Sequence, residues 1–155
     1  LEGLLAGFEA SPLAAALRVS RWGYAGVSAA HILGLALLVG AIVPLNLRLL
    51  GAWPGILRTD VVRLLVPVAL VGLLLAATTG LMLFSVRASE YATLCVFQIK
   101  LTLIVIGAAS ALWAHARYGW RLERAPPRRL RHHAGLSLAC WFSALAAGRI
   151  IAFVG

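Results

Sequence analysis

The sequence predicts an all-α protein: a four-helix transmembrane bundle preceded by an amphipathic N-terminal segment lying in the membrane interface. Three observations predict it. First, 62% of the 155 residues are hydrophobic and 12% are charged, whereas a soluble domain is about 45–50% apolar. Second, four stretches, about 22–50, 60–86, 91–118 and 134–154, are apolar over the roughly 20 residues that a helix needs to cross a bilayer. Third, nine of the 14 basic residues are Arg48, Arg58, Arg63, Arg117, Arg121, Arg124, Arg128, Arg129 and Arg131. They flank the connections after the first and third stretches. One bundle uses up this length, with no room for a soluble catalytic domain.

Residues 1–21 read as one or two short helices in the interface. Leu1, Leu4, Leu5 and Phe8 share a helical face, and Ser11-Pro12 supplies a side-chain cap followed by proline at the first helical position. Residues 22–155 form the bundle. Trp22 and Tyr24 mark the headgroup level where the first span begins. Gly26, Ala30 and Gly34 form a small-residue ladder that lets a neighbouring helix approach closely. Pro44 predicts a kink and the residues from Gly51 to Gly55 a turn. Thr59-Asp60 reads as the cap of the second span, which holds Pro67 and the pair Thr78-Thr79. Arg87 to Glu90 is a short return loop, with Ser89 placed to cap the third span. That span carries Gln98 and Lys100 and reaches His115 near its end. Residues 119–133 read as an arginine-rich loop broken by Pro126-Pro127. The fourth span has a second small ladder, Ala139, Ser143 and Ala147, and holds Arg149. Cys95 and Cys140 make no CxxC pair, haem-attachment motif or zinc spacing, and read as buried small apolar residues.

The formal net charge is +9. Its concentration in two connections fits the positive-inside rule rather than a nucleic-acid-binding face. Those connections are therefore expected on the cytoplasmic side, and both termini and the 87–90 loop on the other. His132 and His133 belong to a basic loop that anionic headgroups attract. The expected partners are membrane lipid and other membrane subunits or further copies of the chain. Residues 1–20 carry Glu2 and Glu9 and no basic n-region, unlike a signal peptide.

Depth along the spans brings polar groups to one layer. His31 lies nine residues into the first span and Lys100 nine into the third from the same side, each about 14 Å down. Thr78 and Thr79 lie about eight residues, and Arg149 about five, from the same end of their spans. A charge at such depth costs about 2.5–3.5 kcal/mol on insertion scales. Two cations and a histidine share a layer to which the spans contribute no carboxylate. A b-type haem would answer this chemically, with an imidazole on iron and cations on the propionates. A quinone or another lipid-soluble acid is a second candidate. Met82 is nearer the right depth for a second axial ligand than His115, His132 or His133, and a five-coordinate iron is the other option. Copper fits poorly, because there is one methionine and no ligand cluster. The plain readings stand beside these: His31 hydrogen-bonding a neighbouring helix, and Lys100 and Arg149 snorkelling to the surface.

Four segments carry a family likeness: SPLAAALRVSRWGY, AAHILGLALLVGAIVPLNLRLLG, FQIKLTLIVIGAASALWAH and SLACWFSALAAGRIIAF. In order and over nearly the whole chain they resemble DUF6644, an uncharacterised family of four-span bacterial membrane proteins. The family pattern has a first-span histidine, matching His31, a lysine matching Lys100, and a GR pair matching Gly148-Arg149. Its DLRLLG exit has Asn46 here in place of the aspartate. More distantly, the layout is similar to CopD-type copper-resistance membrane domains and to the four-span bacterial protoporphyrinogen oxidase. That haem-binding enzyme pairs a first-span histidine with a lysine followed by leucine, as in Lys100-Leu101. The resemblance implies a bacterial inner membrane location and a tetrapyrrole site; in a bacterium the side expected above for the termini is the periplasm. Three function classes follow: a b-haem electron-transfer protein, a redox enzyme acting on a porphyrin-like or quinone substrate, and a cofactor-free accessory subunit.

Overall fold

The computed structural model describes residues 2–154; Leu1, placed above on the amphipathic face, and Gly155 lie outside the described residues. The helices are α1 (Glu2–Glu9), α2 (Pro12–Val19), α3 (Arg21–Leu50), α4 (Arg58–Val86), α5 (Ala88–Thr93), α6 (Cys95–Tyr118) and α7 (Pro127–Val154). There is no strand among the described residues. Helices α3, α4, α6 and the Pro127–Ile151 part of α7 are long and apolar enough to cross a membrane. The protein is an all-helical, multi-pass membrane protein. Its outer surface is apolar as lipid requires: Leu74 and Leu112 are 65% and 70% exposed.

Helix ends follow local chemistry. The Ser11 side chain accepts from the Ala14 N–H at 3.2 Å, and Pro12 opens α2. Ser20 caps α3 in the same way through the Gly23 N–H, and Gly51, at φ +118°, ends it in the left-handed region. α3 runs unbroken through Pro44. Three expectations about helix starts change. α4 begins at Arg58 with Leu57 as its N-cap and no capping side chain, so Thr59 and Asp60 sit inside its first turn. Ser89 does not cap the third span. Leu94, extended at φ −75° and ψ 115°, separates α5 from α6, and Gln98 Nε2 bridges the break by donating to the Ala92 carbonyl at 3.0 Å. Finally, α7 starts at Pro127, so Arg128 to His133 are helical rather than loop. Proline at the first position gives up only an N–H that no helical carbonyl would accept.

α3 lies at the centre, packed on α4 and on α7, and α6 packs on α7. The α3–α4 crossing is tight because both helices lack side chains there. A Cβ on Gly34 would stand 2.6 Å from the Ala76 nitrogen, and one on Gly72 would collide with the Leu38 backbone. Of the ladder read from sequence, only Gly34 makes this contact: Gly26 is exposed and a Cβ there would meet nothing. On α7 the buried stripe is Cys140, Ala144 and Ala147, with Trp141 beside it, while Ala139 and Ser143 face outward. The four-residue stride from 139 to 143 follows a face about one position away from the packed one. Gly107 on α6 faces Trp141, which would stand 3.3 Å from an added Cβ. Cys140 is buried but Cys95, at the start of α6, is exposed, contrary to its expected burial.

Two apolar clusters close the bundle. Leu38, Ile42 and Trp141 fill its middle. Val62, Val66, Ala114, Tyr118 and Leu130 fill the arginine-rich end. At the other end α1 packs on α4 and α5, and α2 on α3 and α4.

Candidate functional site

Above the middle cluster the four spans diverge around a cavity of about 620 Å³, within the range of roughly 300–1,000 Å³ typical of ligand pockets. α3 contributes Tyr24, Ser28, His31, Leu35 and Leu38 to its wall. These residues recur every three or four positions and so form one helical face. α4 contributes Gly80, Leu83 and Phe84, and α6 contributes Phe97, Lys100 and Ile104. Trp141, Ala144, Gly148 and Arg149 come from α7. Leu38, Ile104 and Trp141 make an apolar floor continuous with the core.

His31 is held by one specific contact. Its Nδ1 lies 3.1 Å from Thr79 Oγ1 on α4. Thr79 bonds its single hydroxyl hydrogen back to the Leu75 carbonyl at 2.5 Å, so its oxygen accepts from the imidazole. Nδ1 then carries the proton, and Nε2 keeps an unshared lone pair. Gly80 makes room for the ring: a Cβ there would stand 3.1 Å from His31 Cε1. Gly148 does the same for Lys100, whose Nζ and Cε would lie 3.4 Å from an added Cβ.

The mouth is polar and aromatic. Arg149 is exposed, with its guanidinium 4.9 Å from the centre of the Phe153 ring. Arg87 and Glu90 form an exposed ion pair at 3.3 Å. Phe84 and Phe97 stack at 5.2 Å, with Tyr91 6.0 Å from Phe97 and Phe8 of α1 6.3 Å from Phe84. Burial pushes the Tyr91 phenol up, and the neighbouring Tyr24 adds to the shift, so the hydroxyl remains protonated and able to donate.

Of the residues singled out from sequence, His31, Lys100 and Arg149 line this cavity, and Thr79 supports it from behind the imidazole. Thr78 is exposed, and its hydroxyl bonds to the Leu74 and Leu75 carbonyls of its own helix. Met82 is half-buried and is not part of the cavity wall. His115 bonds the Trp120 carbonyl at 2.9 Å, and His133 lies 3.3 Å from Ser110, both at the arginine-rich end. Among the described wall residues, His31 is the only histidine, methionine or cysteine. Family models, curated proteins and solved structures return no match to this chain. Sequence reasoning missed Ser28, Tyr91 and Gly80. Ser28 was findable, because it sits one turn from both Tyr24 and His31; the room that Gly80 makes for His31, and Gly148 of the GR pair for Lys100, became visible only when the opposing helices were placed.

The residues fit a b-type haem on three counts. An imidazole nitrogen with an unshared pair stands on the wall, cations from two other helices border the same space, and the floor is apolar. The fit is for one strong axial ligand from this chain.

Proposed function

We propose that the chain is a membrane b-haem protein that passes electrons in the half of the bilayer nearer its termini. The observation that supports this reading is the Thr79 contact, which takes up the protonated Nδ1 of His31 and leaves Nε2 as the nitrogen that would bind a metal. The chemistry that a haem would supply there is one-electron transfer between its ferric and ferrous states. His31 would hold the iron, and Lys100 and Arg149 would neutralise propionates. Leu38, Ile104 and Trp141 would keep water from the buried face. The DUF6644 resemblance, with its matching histidine, lysine and GR pair, supports a shared site, as does the distant likeness to four-span haem proteins. A bacterial inner membrane with periplasmic termini belongs to the same reading, and is supported by nine arginines at the opposite end.

The test is spectroscopic. Wild-type protein from haem-replete cells, purified in mild detergent, should show a Soret band and sharpened reduced bands. His31→Ala should lose them. Carbon monoxide should shift the reduced Soret band, because the wall offers one strong ligand. A colourless wild type sinks the haem reading and favours an accessory subunit. A second reading, a redox enzyme acting on a porphyrin-like or quinone substrate, draws on the same cations and the lack of a second strong ligand. Turnover of an added porphyrinogen by pigment-free protein, with an added quinone as electron acceptor, would favour it.

A further inference from the structure

A second pocket, of about 410 Å³, lies at the other end of the bundle. Three arginines from three helices line it: Arg48 of α3, Arg58 of α4 and Arg131 of α7. Among the described residues no carboxylate does. Among the described residues the ion pairs are Arg87–Glu90 and Arg121–Glu123, so none of the three is paired. Like charges gathered at one pocket repel unless an anion joins them.

Hydrogen bonds hold Arg48 and Arg58 in place, while Arg131 is exposed. Arg48 Nε donates to the Ile56 carbonyl at 2.7 Å, leaving its terminal nitrogens free. Arg131 Nη2 passes 3.9 Å from where a Cβ on Gly51 would stand. Arg58 Nη2 donates to the Leu122 carbonyl at 3.0 Å. Its Nε is buried without a hydrogen-bond partner among the described residues. An oxyanion would therefore meet Arg58 through its terminal nitrogens, by charge-assisted hydrogen bonds. The start of α4 also borders the pocket through Arg58 and Thr59, and no side chain caps it. Asp60, in the same turn, already answers the helix dipole, so the attraction for an anion rests on the guanidiniums. The pocket sits where α3 ends and α4 and α7 begin, and the ends of membrane-spanning helices are where lipid headgroups would meet them.

We infer that this pocket binds a phosphate group, either on the headgroup of an acidic phospholipid or as free phosphate. Planar guanidiniums suit phosphate oxygens, and several together exceed what a single carboxylate needs. The site is independent of the haem reading.

The test uses the full chain, delipidated in neutral detergent. In one arm it is melted in inorganic phosphate and in chloride of equal ionic strength. In the other it is placed in nanodiscs of phosphatidylcholine containing some phosphatidylglycerol, and retained lipid is counted by native mass spectrometry. Phosphatidylglycerol retained above its bulk fraction identifies a headgroup site. A saturable rise in melting temperature specific to phosphate identifies a free-anion site. Either supports the inference if Arg131→Gln and Arg48→Gln each weaken binding about fivefold, the factor of one basic side chain at a membrane surface. Arg124→Gln, on an exposed arginine outside the pocket, should leave it unchanged. The inference is overturned if neither probe binds above its control, or if Arg124→Gln loses as much as the pocket variants.

Discussion

His31 Nδ1 and Thr79 Oγ1 meet at 3.1 Å across the α3–α4 seam, 48 residues apart in sequence. Because the threonine hydroxyl is committed to the Leu75 carbonyl, this contact sets the tautomer of the histidine. Thr79→Val keeps the shape and removes the acceptor. We expect it to lower pigment retention about 10–100-fold, the usual effect of losing a ligand's outer partner. Thr79→Ser should restore it. Absorbance per protein across the three proteins is the measurement, and equal retention in all three would end this role for Thr79.

The backbone contact between Gly34 and α4 leaves no space for a methyl group. Gly34→Ala should therefore destabilise the bundle by about 1–3 kcal/mol, the range for overpacking. Gly26→Ala, where an added Cβ meets nothing, should be close to neutral. Thermal midpoints followed by size-exclusion chromatography in detergent compare the two, and a smaller loss at Gly34 than at Gly26 would refute the close crossing.

Asn46 is 5% exposed within α3, and its Nδ2 donates to Ser137 Oγ on α7 at 3.0 Å. The residue thus spends its amide on a neighbouring helix. A double-mutant cycle of Asn46→Ala and Ser137→Ala should give a coupling of about 0.6 kcal/mol, with roughly 1.7 as the upper end for such pairs in membranes. Zero coupling would show that the pair contributes nothing to the α3–α7 contact.

Glu9 Oε1 accepts the Ser89 backbone N–H at 2.7 Å and so ties α1 to the start of α5. That bond holds the Glu9 carboxyl below the usual range, with Arg18 adding a smaller pull. A lowered carboxyl contributes stability above its unfolded value and loses it as pH falls through the folded one. The α1–α5 contact should hold at neutral pH and loosen below about pH 4. Protection of the residue 2–9 amides, taken relative to the intrinsic exchange rate at each pH, reads this directly. Glu9→Gln should show the same protection at both; a persisting pH step would place the titrating group elsewhere.

Much of the fold is legible without coordinates. The need to satisfy every backbone group in hydrocarbon turns an apolar stretch of sufficient length into a helix, whatever its neighbours. The Ser11 cap is local in the same way, because donor and acceptor lie within one turn. The starts of α4 and α7 were less legible. Thr59 and Pro127 carry local signals, but a helix is extended or shortened by what its first turn packs against, and Leu130 is buried in the core of the arginine-rich end.

By itself the sequence determined that the chain is all helix, that four stretches are long and apolar enough to span a membrane, and that arginines crowd one end of them. These properties follow from composition and period. It also marked His31, Lys100 and Arg149, because an ionisable group in an apolar stretch stands out by its solvation cost alone. Only the tertiary structure decided which of them face the same cavity, that Thr79 rather than Thr78 holds the imidazole, and that Met82 stays out of the wall. It alone gathered Arg48, Arg58 and Arg131 around one pocket. The physical reason is rotation about the helix axis. Depth is counted along the chain at a fixed rise, but neighbouring positions lie about 100° apart around it. Which side meets a partner is set by contacts between distant residues, such as those of Gly34 and Gly72.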